Sequence, residues 1–223
     1  MLKRKFLGNL RVSHHKNTAD MAPVRIPTPK EVLLPMDQHI GALATPVVKI
    51  GDQVLVGQLV AEAVGAVSAN VYASVSGKVL KIEDYLLANG KTVAAIRIES
   101  DGEMTPVEGL APLSVTDLDS LLNACQNAGI VGMGGAGFPT SAKLAALKNG
   151  NIHTVLINGA ECEPYLTSDT RTMLDETELV YEGIKLLQAT APTVKNFVIG
   201  IEKNSPSALR LFAILPRMTP PLP

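Results

Sequence analysis

The run Gly132-Met133-Gly134-Gly135-Ala136-Gly137-Phe138-Pro139-Thr140 carries the clearest chemical signal in this chain. Four glycines between positions 132 and 137 leave backbone N–H groups bare of side chains. Pro139 and Thr140 then open a helical pattern. Unpaired amides and the positive end of a helix dipole together favour an anion, so the run reads as a phosphate cradle. Glycines also serve tight turns and close packing, and the run alone does not separate these uses. It is not a P-loop, because no Gly-Lys-Ser/Thr follows, and its glycines lack the Gly-x-Gly-x-x-Gly spacing. Lys143, in the first turn of the helix, could reach a bound phosphate from there, but by itself it reads first as a solvated helix lysine.

A second loop, Asn158-Gly159-Ala160-Glu161-Cys162-Glu163-Pro164, follows a short apolar run. Glu161 and Glu163 flank one residue, so an extended loop puts them on one face. Their carboxylates suit ribose hydroxyls or flavin ring N–H groups, and Asn158 offers a donor and an acceptor to a ring edge. Two carboxylates without a nearby histidine make a poor transition-metal site. His153 falls at the far end of the strand that precedes the loop. His14 and His15, beside Lys16, read as solvated. Cys125 falls on the apolar face of a helix. Cys162 sits between two carboxylates that disfavour its thiolate. Two cysteines cannot ligate an iron–sulfur cluster.

The elements that position these residues fall into two regions of different period. From Glu31 to Glu99, short strands alternate with glycine turns: 31–34, 47–50, 54–55, 58–62, 78–83 and 93–99. This pattern indicates a compact β sandwich or barrel. Past a linker with Gly102, Pro106, Gly109 and Pro112, helices and strands alternate. Thr116 caps a first helix that stops at Gly129. A second helix covers Thr140 to Asn149. A strand follows at Thr154–Ile157. Ser168 caps a long helix through Leu187, and Phe197–Ile199 is a last strand. Apolar strands between amphipathic helices indicate a parallel α/β layer, whose sites lie at the carboxyl ends of strands.

Of the 223 residues, 46% are hydrophobic and 18% charged, with a formal net charge of −1. A packed core is therefore expected, and no basic surface points to nucleic acid. No apolar run reaches the ~20 residues needed to span a bilayer.

Several motifs resemble known families. Val47–Gln58 and Ala73–Val79 resemble the biotinyl/lipoyl carrier fold, but no lysine stands between Lys49 and Lys78. The turn near Val64-Gly65-Ala66 therefore has nothing to acylate, which implies a scaffold or docking role. Gly134 to Thr140 with Lys143 resembles the flavin loop of the NADH-oxidising subunit of respiratory complex I. Asn158 to Pro164 resembles that subunit's second nucleotide loop, with Ala160 where an aspartate is usual. The resemblance to the C subunit of the Rnf electron-transport complex is wider, over about Lys16 to Asn204. It includes Pro35-Met36-Asp37-Gln38-His39-Ile40-Gly41-Ala42 and Val67-Ser68-Ala69.

This resemblance implies an α+β chain of two domains. A β barrel-sandwich hybrid at 31–100 follows an N-terminal segment, 1–30. A linker at 101–114 leads to a partial α/β, Rossmann-like nucleotide-binding domain at 115–204, and an atypical tail covers 205–223. It implies FMN and NADH as cofactors, held by Gly132, Gly134, Gly135, Gly137, Phe138, Lys143, Asn158, Glu161 and Glu163, with no catalytic acid or base. The implied function is NADH oxidation with electron transfer through FMN to iron–sulfur centres, in a complex of the ferredoxin:NAD oxidoreductase type. The implied partners are other subunits of the Rnf-type complex, with ferredoxin or NADH as redox partners, at the cytoplasmic side of the membrane. The family continues past this chain's end into cluster-binding domains, so a truncated or frameshifted product, not competent alone, is expected. The alternative is a non-catalytic assembly or docking module.

Overall fold

The structure is a computed structural model that describes residues 13–133 and 135–201. Gly134, the basic N-terminus with Lys3, Arg4 and Lys5, and the tail 205–223 lie outside the described residues. The chain divides into two compact units. One holds residues 26–152 and 189–193, the other residues 13–25, 153–188 and 194–201.

The first unit begins with seven strands: β1 (Glu31–Pro35), β2 (Thr45–Pro46), β3 (Gln53–Val54), β4 (Leu59–Glu62), β5 (Val71–Tyr72), β6 (Gly77–Leu86) and β7 (Thr92–Ser100). They form an antiparallel four-stranded sheet, β1-β7-β6-β3, and an antiparallel three-stranded sheet, β2-β4-β5. Period-two alternation builds the core between them. Val79, Ile96 and Ile98 turn inward from one sheet, and Val60, Ala61 and Val71 from the other, with Met36, Val54 and Val75 filling the space. On β7, Arg97 donates to Glu83 at 2.7 Å and to Glu31 at 3.0 Å, tying three adjacent strands together.

The expected strand at 47–50 does not form: the Val47 N–H donates to the Val60 carbonyl at 2.9 Å, the chain then leaves the ladder, and a turn follows at Ile50 and Gly51. The Lys49 N–H donates to the Asp52 carboxylate at 2.8 Å, and the Asp52 N–H returns to the Lys49 carbonyl at 3.1 Å.

The unit continues with α1 (Leu118–Asn127) and α2 (Thr140–Leu144). Asp117, not Thr116, caps α1. Its carboxylate accepts from Ser120 N–H at 2.8 Å, while Ser120 Oγ accepts from Asp117 N–H at 3.0 Å. This reciprocal pair satisfies two donors that the helix start leaves unpaired. The Ser120 N–H and hydroxyl hold the Asp117 carboxyl below its ordinary value. Past α2 the chain tightens into a 3-10 turn over Ala145–Asn149, ended by Gly150 at φ 68°.

The second unit contains β8 (Thr154–Gly159), α3 (Ser168–Asp175), α4 (Thr177–Thr190, whose last residues pass to the first unit) and β9 (Asn196–Ile201). β8 and β9 pair in parallel with Leu156 opposite Val198. The single helix expected from Ser168 to Leu187 is broken at Glu176. There the Thr177 hydroxyl donates to the Met173 carbonyl at 2.6 Å and starts α4 afresh.

Candidate functional site

The glycine run is a closed loop with tied ends. The Gly132 N–H donates to the Phe138 carbonyl at 2.9 Å, and the Thr140 N–H to the Ile130 carbonyl at 2.9 Å. Val131 and Pro139 form a bridge between them. The loop's second half rests on the segment after β1. Ile40 N–H donates to the carbonyls of Ala136 at 3.1 Å and Gly137 at 3.3 Å. Gly137 adopts φ 63°, and a Cβ there would lie 2.7 Å from the Gln38 carbonyl oxygen. Only glycine satisfies both demands. Among the described residues, no acceptor takes the N–H groups of Gly135, Ala136 and Gly137.

The segment under the loop is itself pinned by His39, which is 4% exposed. Its Nε2 lies 3.1 Å from the Ala69 nitrogen and 3.2 Å from the Ala69 carbonyl oxygen, and its Nδ1 lies 3.2 Å from the Ile40 carbonyl oxygen. A concavity of about 530 Å³ lies over this arrangement. Residues 131–137, apart from 134, line one part of it, and Asp37 to Ile40, Asn89 and Lys91 the rest. Phe138, at the loop's end, and Lys143, on α2, are both exposed, and neither lines the concavity.

In the second unit, β8 runs on through Asn158 and Gly159, two residues beyond the expected end of the strand, and the loop begins at Ala160, whose N–H donates to the Asn158 side chain at 3.1 Å. The two carboxylates part company. Glu163 is exposed, whereas Glu161 is 3% exposed, so they do not share a face. Glu161 serves as the missing cap of α3. Thr167, in the N-cap position, makes no side-chain cap bond, and Ser168, expected as the cap, lies inside the helix. The Asp169 N–H donates to Glu161 Oε1 at 2.9 Å, and the Thr170 hydroxyl to Oε2 at 3.1 Å. Lys16 Nζ completes the set, 2.7 Å from the Glu161 carbonyl and 3.4 Å from Oε2. Burial pushes the Glu161 carboxyl upward, but these donors outweigh it and hold it below its ordinary value. Burial, then the Glu161 and Glu163 carboxylates, raise Asp169.

His14 and His15 are both exposed, as the solvated reading expects, but His15 and the half-buried Lys16 also make specific contacts. The His15 ring stacks on Tyr165 at 5.1 Å, and the His15 backbone N–H donates to the Pro164 carbonyl at 2.8 Å. Thr18 and Thr167 share a 2.7 Å hydroxyl bond. Residues 15–18 therefore form a strap along the acidic loop and the start of α3. Nothing in the spacing of a polar N-terminus signals this, because the partners lie about 150 residues away. A larger concavity of about 710 Å³ sits beside the strap, with Met21, Val24 and Leu166 among its walls. The arginine in its wall, Arg171, is paired with Asp175. Cys125 is buried, which raises its thiol, and Cys162 is exposed.

Among the described residues, no helix is long and apolar enough to cross a membrane.

The RnfC barrel sandwich hybrid domain matches residues 4–103, and the Nuo51 FMN-binding domain matches residues 125–214. Three relatives are each the C subunit of an ion-translocating complex. The chain is 43% identical, over 94% of its length, to that of the proton-translocating ferredoxin:NAD(+) oxidoreductase complex of Clostridium ljungdahlii. It is 42% identical over 92% to that of the Na(+)-translocating ferredoxin:NAD(+) oxidoreductase complex of Acetobacterium woodii. It is 40% identical over 91% to that of the ion-translocating oxidoreductase complex of Rhodobacter capsulatus. It spans 46%, 47% and 40% of those relatives, less than half of each. A barrel-sandwich hybrid domain followed by an FMN-binding domain, with identity sustained over nine-tenths of the chain, places this protein in the RnfC family.

Proposed function

We propose that this chain is the flavin-binding portion of an Rnf-type subunit that exchanges electrons with NADH in a membrane-associated complex. One observation carries the reading: the glycine run is tied at both ends and along its second half, yet its Gly135, Ala136 and Gly137 N–H groups meet no acceptor among the described residues. Donors left open in a rigid loop suit an anion, here the FMN phosphate. The family resemblance assigns Gly132, Gly134, Gly135, Gly137 and Phe138 to that loop, and Lys143 on α2 to the phosphate as its cation. The same resemblance assigns flavin or nicotinamide-nucleotide contacts to Asn158, Glu161 and Glu163. Glu161 is committed to α3, so its part is to position the loop, while the exposed Glu163 makes the contact.

The chemistry that bound FMN supplies is the conversion of a hydride from NADH into single electrons for iron–sulfur centres. The protein's own work is to bind and orient. No side chain has to move a proton, because hydride transfer between nicotinamide and flavin needs no acid or base. The two cysteines cannot hold a cluster, so the chain by itself does not pass electrons onward. We assign the barrel to 31–100, the linker to 101–114 and the flavin domain to 115–204, and place the chain peripherally at the cytoplasmic face through partner subunits.

The test is titration of the purified chain with FMN, followed by quenching of flavin fluorescence. Saturable quenching at micromolar flavin is expected, and none at that concentration would refute the reading. One observation favours a docking role instead. Leu156 and Val198, opposite each other on the parallel sheet, are 64% and 47% exposed, although such sheets are normally covered on both faces. In that case the chain captures other members of the complex equally well with Gly137→Ala, and flavin plays no part.

A further inference from the structure

We propose that the barrel completes the glycine-run site: Lys91, beside the tip of the β6–β7 hairpin, is a cation that meets a phosphate monoester there, and Asp37 is its counter-ion until the anion arrives. This rests on the flavin reading above and names residues outside the FMN-binding domain match. Backbone N–H groups alone hold a phosphate dianion weakly. Strong sites add a cationic side chain that forms charge-assisted hydrogen bonds. Among the described residues, Lys91 is the only lysine or arginine lining the concavity over the glycine run, and Lys143 is not part of that lining.

The backbone that carries Lys91 is fixed. Its N–H donates to Asn89 Oδ1 at 3.0 Å, and its carbonyl accepts from the Leu87 N–H at 2.8 Å. Its side chain is free to change partners. Nζ lies 3.6 Å from Asp37 Oδ2, and the side chain is 69% exposed. A long, solvated pair of this kind contributes little and is readily exchanged. Asp37 is held more firmly, at 15% exposure, in the segment that the Ile40 N–H ties to the glycine run and the His39 ring ties to Ala69. The arrangement keeps Lys91 on the wall of the concavity that the open amides also line, with Asp37 to balance its charge. The concavity's size is typical of small-ligand sites.

The experiment compares FMN with riboflavin, which lacks the phosphate, by fluorescence quenching on the chain and on Lys91→Gln, Lys91→Arg and Asp37→Asn variants. The chain itself is expected to prefer FMN. Lys91→Gln should weaken FMN about tenfold and leave riboflavin unchanged, because one charge-assisted contact is lost. Lys91→Arg should restore most of the preference, and Asp37→Asn should tighten FMN severalfold by removing the competing carboxylate. Lys91 is on an exposed hairpin, so its substitution leaves the core intact. An unchanged FMN-to-riboflavin ratio in Lys91→Gln overturns the proposal while the flavin reading stands. A chain that binds neither flavin overturns both.

Discussion

At the scale of single residues, the informative side chain is Glu161, because it faces inward. A carboxylate that takes two donors from α3 and sits beside an ammonium is stabilised as the anion. Its pKa is depressed in the fold, so the stability it contributes is present above the unfolded value of about 4.3 and is lost as pH falls through the lower folded value. Glu161→Gln is therefore expected to destabilise the chain by about 2 kcal/mol at pH 7, with the gap closing below about pH 4. Urea denaturation across that range checks it; a gap independent of pH would contradict the assignment. Lys16→Met should cost about 3 kcal/mol, because it strands a buried charge. The double variant Lys16→Met/Glu161→Gln should be less damaged than the sum, as two groups in direct contact require. The sequence singled out Glu161 for its neighbours in a loop, but its direction was not legible there. Adjacent carboxylates look alike in sequence; the choice between them is made by a lysine 145 residues upstream.

At the scale of elements, local rules were readable where one element decides its own shape, and failed where two compete. The alternating stretches at 78–83 and 93–99 lie within β6 and β7, because burial of one face specifies a strand's register. The cap of α1 was misplaced by one residue, since both Thr116 and Asp117 are capable and only the reciprocal bond with Ser120 selects Asp117. The break at Glu176 was invisible to a periodicity that Met173, Val180, Ile184 and Leu187 continue across it. The glycine run combines both outcomes. Its openness was legible, but the reason for Gly137 was not, since that residue answers to the Gln38 carbonyl about 100 residues earlier. Gly137→Ala should therefore separate packing from ligand chemistry. The strained φ and the 2.7 Å approach are expected to lower stability by about 1–3 kcal/mol and to abolish FMN quenching, whereas Gly135→Ala, with nothing within 4 Å of its Cβ, should leave stability within about 0.5 kcal/mol. Equal losses in both variants would show that the loop is not seated as described.

At the scale of the whole molecule, the chain order of the two loops does not match the division into compact units. The glycine run belongs with the barrel, and the acidic loop belongs with the strap at residues 15–18 and the parallel pair β8–β9. Each unit has its own buried anchors: Val79, Ile96 and His39 in one, Met173, Phe197 and Glu161 in the other. Units with separate anchors need not unfold together, and a single two-state transition is then the wrong description. Calorimetry is expected to resolve two transitions, with Gly137→Ala lowering one and Lys16→Met lowering the other. A ligand that binds only the folded form stabilises by RT ln(1 + [L]/Kd), about 2.7 kcal/mol at a hundredfold excess over Kd. At roughly 2–4 °C per kcal/mol for a chain of this size, FMN should raise the transition sensitive to Gly137 by about 5–10 °C. Riboflavin, without the phosphate, should raise it less. One transition moved alike by both substitutions would mean that the units fold as a single body. A rise confined to the Lys16-sensitive transition would move the flavin from the glycine run to the acidic loop.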